Sequence, residues 1–315
     1  MKRNEQSKNF ILTGADGGTL YTLTIAIPLI ISVIFSIILI STGLNANEKF
    51  VNGNLYVYLS FAITSLSLLT VILYTRKKNS LDLVTAISIK KCEPKYYLIA
   101  LCLAFGSLFG LGWLNDAFIS FLQQSGFHIS EINLPKEGFG NYILCVIIVC
   151  VLPALFEESI FRGLLLNGAR RGGDIFAIVL CGLLFSLYHK NPAQTVYQFI
   201  LGMALTLLAL KSGSLLPSIL FHFINNLYVV TFHFLTPTGY TFDKWVQIIL
   251  CVLGIIAFAL AVVYLFVKCE KPKYDCDLDN DYQKISSKKE ERKFFVLFAV
   301  PGIIATLIFW AFGLF

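Results

Sequence analysis

The chain has 315 residues, of which 57% are hydrophobic and 14% charged, with a formal net charge of +6 and a mean hydropathy of +0.74. Ordinary globular domains are about 45–50% apolar and about 25% charged, so a water-soluble fold of this length would leave far too much apolar surface exposed. Lipid is therefore the expected solvent, and the positive charge is read by its location; no nucleic-acid partner is expected.

A spanning helix needs about 20 mostly apolar residues, each adding about 1.5 Å across about 30 Å of hydrocarbon. In chain order, about nine segments qualify, two of them marginally, with approximate bounds Leu20 to Thr42, Leu55 to Tyr74, Tyr96 to Leu114, Tyr142 to Leu166, Ile175 to His189, Thr195 to Leu210, Leu215 to Leu235, Trp245 to Val267, and Phe294 to Phe315. Open sheet edges cannot sit in lipid, so these are helices, and the fold class is an all-α polytopic transmembrane helix bundle of about nine spanning segments with a four-helix core. The first run follows Met1-Lys2-Arg3 without a small-residue cleavage site, which reads as a retained helix. The expected organisation is a transmembrane pair with an interfacial segment over residues 1–95, a third helix and external loop over 96–141, the core over 142–235, and a C-terminal pair with a charged loop over 236–315.

Basic residues recur at alternate connections: Lys2, Arg3 and Lys8; Arg76, Lys77 and Lys78 with Lys90 and Lys91; Arg170 and Arg171; Lys211; and the run from Lys268 to Lys293. By the positive-inside rule the N-terminus is expected in the cytoplasm and, after an odd number of passes of the cell membrane, the C-terminus outside. Leu81 to Ile89 is too short to span and is expected along the cytoplasmic interface. Gly106 and Gly110 form G-x-x-x-G, which permits close helix contact. Cys102, Cys145, Cys150, Cys181 and Cys251 lie in apolar runs with no C-x-x-C pair, and read as small buried apolar side chains. The acidic stretch Asp275 to Asp281 spaces carboxylates like an EF-hand loop but has Asn280 and Ser286 where glycine and glutamate are needed, so it reads as a solvated loop.

Ionisable groups inside the apolar core carry more information, because each costs several kcal/mol there unless paired or hydrated. Three clusters occur: Glu157-Glu158 with Arg162, Phe185 with His189, and His222 with Asn226. Residues four apart share a helix face while neighbours point about 100° apart, so Glu158 and Arg162 can pair and Glu157 faces elsewhere without a cationic partner in its own helix. A carboxyl so placed suits general base and acid work on water. His222 and Asn226 project together and can donate to an oxyanion, a term often worth about 3–4 kcal/mol per donor. His189 can share the water with Glu157. One buried Glu–Arg pair is more often structural or part of a transport path; three clusters in one four-helix block favour an activated-water hydrolase. At about 1.5 Å per residue the clusters lie within about two helical turns of one depth, best met if the fifth and sixth segments form a short hairpin turning at Lys190-Asn191-Pro192. His233 lies about 16 Å along the axis from His222 and reads as structural, as does His128 in an external loop.

The ordered triple E-E-x-x-x-R, F-x-x-x-H and H-x-x-x-N, here Glu157-Glu158 to Arg162, Phe185 to His189 and His222 to Asn226, resembles the CPBP intramembrane proteases, which include the type II CAAX prenyl endopeptidase. The likeness covers about Tyr142 to Leu235. It implies that Glu157 and His189 activate water, that His222 and Asn226 steady the oxyanion, and that Glu158 and Arg162 support the site. It also implies membrane-associated peptide substrates, prenylated or otherwise hydrophobic proteins among them. Members are also described as metalloproteases, and zinc is a possible cofactor; the H-E-x-x-H helix of zincins is absent, and a metal-free glutamate mechanism is favoured. The runner-up is a non-catalytic scaffold or bacteriocin immunity-type protein of the same fold. A transporter fits less well, since neither paired broken helices nor repeats occur.

Overall fold

The structure, a computed structural model, describes residues 12–79, 87–127, 134–135, 138–235, 242–270 and 286–313, and these contain helices and turns but no β-strand. The helices are α1 (Gly14–Ser41), α2 (Asn54–Asn79), α3 (Pro94–Gly110), α4 (Gly112–Gln124), α5 (Phe139–Gly172), α6 (Asp174–Tyr188), α7 (Thr195–Ser212), α8 (Leu216–Leu235), α9 (Lys244–Val267) and α10 (Lys288–Phe312). Eight helices among the described residues, with α3 and α4 counted as one, are long and apolar enough to cross a membrane. The chain is a multi-pass membrane protein. The expected fifth segment is the exception: α6 has 15 residues, about 22 Å of helix against about 30 Å of hydrocarbon. It stops because Lys190 takes a positive φ of 53° and Pro192, two residues on, has no N–H to continue a helical ladder.

Packing arranges these helices as a core with two flanking pairs. The α6 and α7 hairpin lies against α5 and α8, while α1 runs along α10 on one side and α3 along α9 on the other. The outer faces remain apolar and uncovered, as at Ile34 and Ile37 of α1 and Leu253 and Leu260 of α9, which is what a lipid-facing surface requires. The start of α1 is fastened to α10 through Glu291, whose carboxylate accepts the Gly14 N–H at 2.6 Å and faces Arg171 at 3.5 Å. An N–H in the first helical turn has no intrahelical acceptor, so the carboxylate satisfies a group that burial would otherwise leave unpaired.

The alternation of helix directions collects the basic connections at one end of the bundle. There Lys211 donates to the Cys269 carbonyl at 2.7 Å, Leu215 N–H to the Ser88 carbonyl at 3.1 Å, and Arg292 to the Gly172 carbonyl at 2.6 Å. Of the interfacial stretch Leu81 to Ile89, residues 81–86 lie outside the described residues; Ile87 is buried beside Gly163. Lys2, Arg3, Lys8, His128, the acidic stretch Asp275 to Asp281 with Cys276, and Leu314 and Phe315 also lie outside them. The described cysteines are free thiols. His233 faces the Leu134 carbonyl at 3.2 Å.

Gly106 and Gly110 do form a close contact. A Cβ on Gly110 would lie 2.5 Å from the Ile255 nitrogen and 2.6 Å from the Gly254 carbonyl carbon, while one on Gly112 would have nothing within 4 Å. Gly110→Ala is therefore expected to push α3 from α9 and cost about 1–3 kcal/mol, as overpacking does, seen as a lowered melting temperature in detergent. Gly112→Ala should leave that temperature within error of the parent.

Candidate active site

Helix α5 is wound to re-aim its polar residues. It contains two π-helical stretches, Val146–Val151 and Ser159–Leu165, on either side of Glu157 and Glu158. Such turns insert an extra residue into the ladder and are frequent at functional sites. Proline adds to the first: the N–H that would reach the Val149 carbonyl in an α-helix belongs to residue 153, which is Pro153. The Asn226 amide donates to the Val149 carbonyl at 3.1 Å instead. This tie fixes α8 against α5 about two helical turns before the glutamates.

Glu158 is the centre of a buried charged group. Its Oε1 accepts from Arg162 Nη1 at 2.8 Å and faces His222 Nδ1 at 2.8 Å, with the Glu158 and Arg162 side chains fully buried. A carboxylate bound to a guanidinium can only accept, so the proton between it and the imidazole is assigned to Nδ1. Arg162 also donates through Nη2 to the Gly202 carbonyl of α7 at 3.1 Å, and its Cζ lies 4.1 Å from the centre of the Phe185 ring of α6. One arginine thus touches α6 and α7 from α5, while its glutamate partner holds α8. Pairing of Glu158 with Arg162 is the expectation from their spacing; His222 as a second partner of Glu158 is not visible in the sequence, since it depends on how α8 is set against α5.

Glu157 faces a different direction, as its adjacency to Glu158 requires. Its carboxyl is buried, and Oε2 has no hydrogen-bond partner among the described residues. The nearest basic atom in an ion-pair relation is His222 Nε2 at 4.0 Å. This separation is too long for a direct hydrogen bond and suits two groups bridged by one water. His189 caps the end of α6, half-buried, with Nδ1 at 2.8 Å from the Phe185 carbonyl. A carbonyl only accepts, so Nδ1 carries the proton and Nε2 presents its lone pair. The Phe185 ring lies 4.8 Å from the His189 ring and 5.7 Å from the His222 ring, edge to face with both. It brings the two imidazoles to one apolar plate, with Arg162 against the same ring.

Several contributors escape sequence reading. Asn225, beside the expected Asn226, is the more buried of the two and accepts a hydrogen bond from the Tyr197 hydroxyl. The adjacent amides Asn225-Asn226 in an apolar helix were the available signal. The turn after His189 is held by Thr195: its carbonyl accepts from Ser186 at 2.7 Å, and its hydroxyl accepts from Trp310 Nε1 at 2.7 Å. Trp310 belongs to α10, so the last helix braces the hairpin that carries His189, and nothing in the local pattern around residue 310 announces it.

Among the described residues no group of three His, Cys, Asp or Glu side chains is arranged to hold a metal ion. Oε1 of Glu158 is engaged by Arg162 and His222, while its Oε2 has no hydrogen-bond partner among the described residues.

Residues 139–228 match the family model described as Type II CAAX prenyl endopeptidase Rce1-like. No match was found among curated proteins or solved structures. The matched stretch begins with α5 and ends within α8, and so contains Glu157, Glu158, Arg162, Phe185, His189, His222 and Asn226. Residues 139–228 are accordingly similar to the Rce1-like type II CAAX prenyl endopeptidase family, which agrees with the resemblance that the motif order carries, and they lie within a multi-pass membrane protein.

Proposed function

We propose that the chain hydrolyses a peptide bond of a membrane-associated peptide or hydrophobic, lipid-modified protein by a glutamate-activated water, without a metal. The observation that carries this reading is the unpartnered, buried Oε2 of Glu157 standing 4.0 Å from His222 Nε2. Glu157 takes a proton from the attacking water and returns it to the leaving nitrogen. His189, with Nδ1–H tied to the Phe185 carbonyl, accepts the water's second hydrogen at Nε2 and orients it. His222 and the second N–H of Asn226 donate to the oxygen that gains charge in the tetrahedral intermediate. Glu158, anchored by Arg162, holds the His222 ring through Nδ1. The basic end of the bundle faces the cytoplasm in this reading, following the positive-inside rule, with the first described helix starting and the last one ending on opposite sides.

Glu157→Gln and His189→Ala are expected to lower processing at least 100-fold, the order of a lost general base, with unchanged accumulation in the membrane. The assay compares, by mass spectrometry, membrane peptides from cells making the parent or the Glu157→Gln chain. Processing retained by both variants would instead point to a scaffold. Arg162→Leu should act on stability as well, since it strands Glu158 in the interior at a cost of about 3–5 kcal/mol; thermal melting in detergent reads it directly. Activity of purified protein should survive exhaustive chelation, and loss on chelation with rescue by zinc would replace the metal-free mechanism.

A further inference from the structure

At the basic end of the bundle, away from the glutamates and histidines of the core, lies a cavity of about 620 Å³ whose lining includes Lys91, Glu93, Lys95, Lys211, Lys268 and Glu270. Its walls are the start of α3, the end of α7 and the end of α9, so it sits where three membrane helices reach their ends. The walls are tied together. Lys211 Nζ donates to the Cys269 carbonyl at 2.7 Å, joining α7 to the end of α9, and Ser214 Oγ donates to the Lys90 carbonyl, joining the residues after α7 to those before α3. Four lysines face two glutamates around this space. One glutamate, Glu93, is neutralised by Lys95 at 2.8 Å. Among the described residues Lys91 and Lys268 form no ion pair, and both are exposed at the cavity.

We propose that this cavity binds the phosphate of an anionic phospholipid headgroup. An excess of positive charge in a pocket between helix ends, at headgroup level, is the arrangement that attracts anionic lipids, each lysine near the surface contributing about fivefold in affinity. A tied wall also spares the site the cost of ordering itself around the ligand. Lys91 and Lys268 supply the charge, while Lys211 holds the wall. The lipid so bound would clamp α3, α7 and α9 together at the basic end of the bundle. The proposal is independent of the catalytic reading, and a catalytically silent chain would bind the lipid equally.

The test measures binding of phosphatidylglycerol and of phosphatidylcholine to the purified full chain by native mass spectrometry, together with the melting temperature each lipid confers. Phosphatidylglycerol is expected to bind preferentially and to raise the melting temperature. Lys91→Ala with Lys268→Ala should weaken it about 30-fold, while Lys91→Arg with Lys268→Arg retains it. Lys77→Ala with Lys78→Ala removes equal charge from exposed positions at the end of α2 and should leave binding unchanged. Equal binding of both lipids, or equal loss in the two alanine pairs, would overturn the proposal. An equal melting shift from inorganic phosphate alone would assign the cavity to a free anion and overturn the lipid. Because the variants lie at exposed positions, their lipid-free melting temperatures should match the parent, separating loss of the site from loss of the fold.

Discussion

The structure depends on one oxygen, Oε1 of Glu158, which serves both Arg162 and His222 at 2.8 Å. A carboxylate and a guanidinium taken out of water are stable only if geometry and further hydrogen bonds replace hydration, and a partner removed leaves a stranded charge. Here the replacements come from different helices: the Gly202 carbonyl of α7 and the face of the Phe185 ring of α6 lie against Arg162, whose Nε has no hydrogen-bond partner among the described residues. Holding that charge dry therefore requires α5, α6, α7 and α8 to meet at one level. The requirement that stabilises the ion pair also brings His222 Nε2 to 4.0 Å from the second glutamate.

Division of labour between adjacent glutamates follows from helix geometry. With one residue between neighbours turning the side chain by about 100°, Glu158 cannot face Arg162 and also leave Glu157 there. Glu157 keeps an oxygen without a protein partner, opposite His222 Nε2. His222 stands between the two carboxyls, with Nδ1 at 2.8 Å from Glu158 and Nε2 at 4.0 Å from Glu157. The π-helical stretches on either side of the pair and the carbonyl released by Pro153 show how far the backbone of α5 departs from a plain helix to reach this arrangement.

Much of this is legible in the residues because lipid enforces strict rules. Apolar runs long enough to cross are unmistakable, and Glu157, Glu158, Arg162, His189 and His222 stand out for lacking any reason to be there except pairing or chemistry. The i to i+4 pairing of Glu158 with Arg162 is local, so spacing alone reveals it. Contacts set by the relative rotation of two helices are not local: His222 against Glu158, Tyr197 against Asn225, and Trp310 against Thr195 each join residues far apart in sequence. The shortness of α6 is a middle case, since Pro192 is visible but the positive φ of Lys190 is not. The help that α10 gives to the hairpin turn is invisible for a further reason: α10 lies beyond the stretch that matches the family model.

The most direct measurement is an experimental structure of the full chain in lipid, at a resolution that shows ordered water. The geometry predicts one water within hydrogen-bond distance of Glu157 Oε2 and His222 Nε2, with His189 Nε2 turned toward it and Nδ1 on the Phe185 carbonyl. Glu157 satisfied by a direct protein hydrogen bond, or His189 turned away so that no water touches both, would contradict the shared-water mechanism.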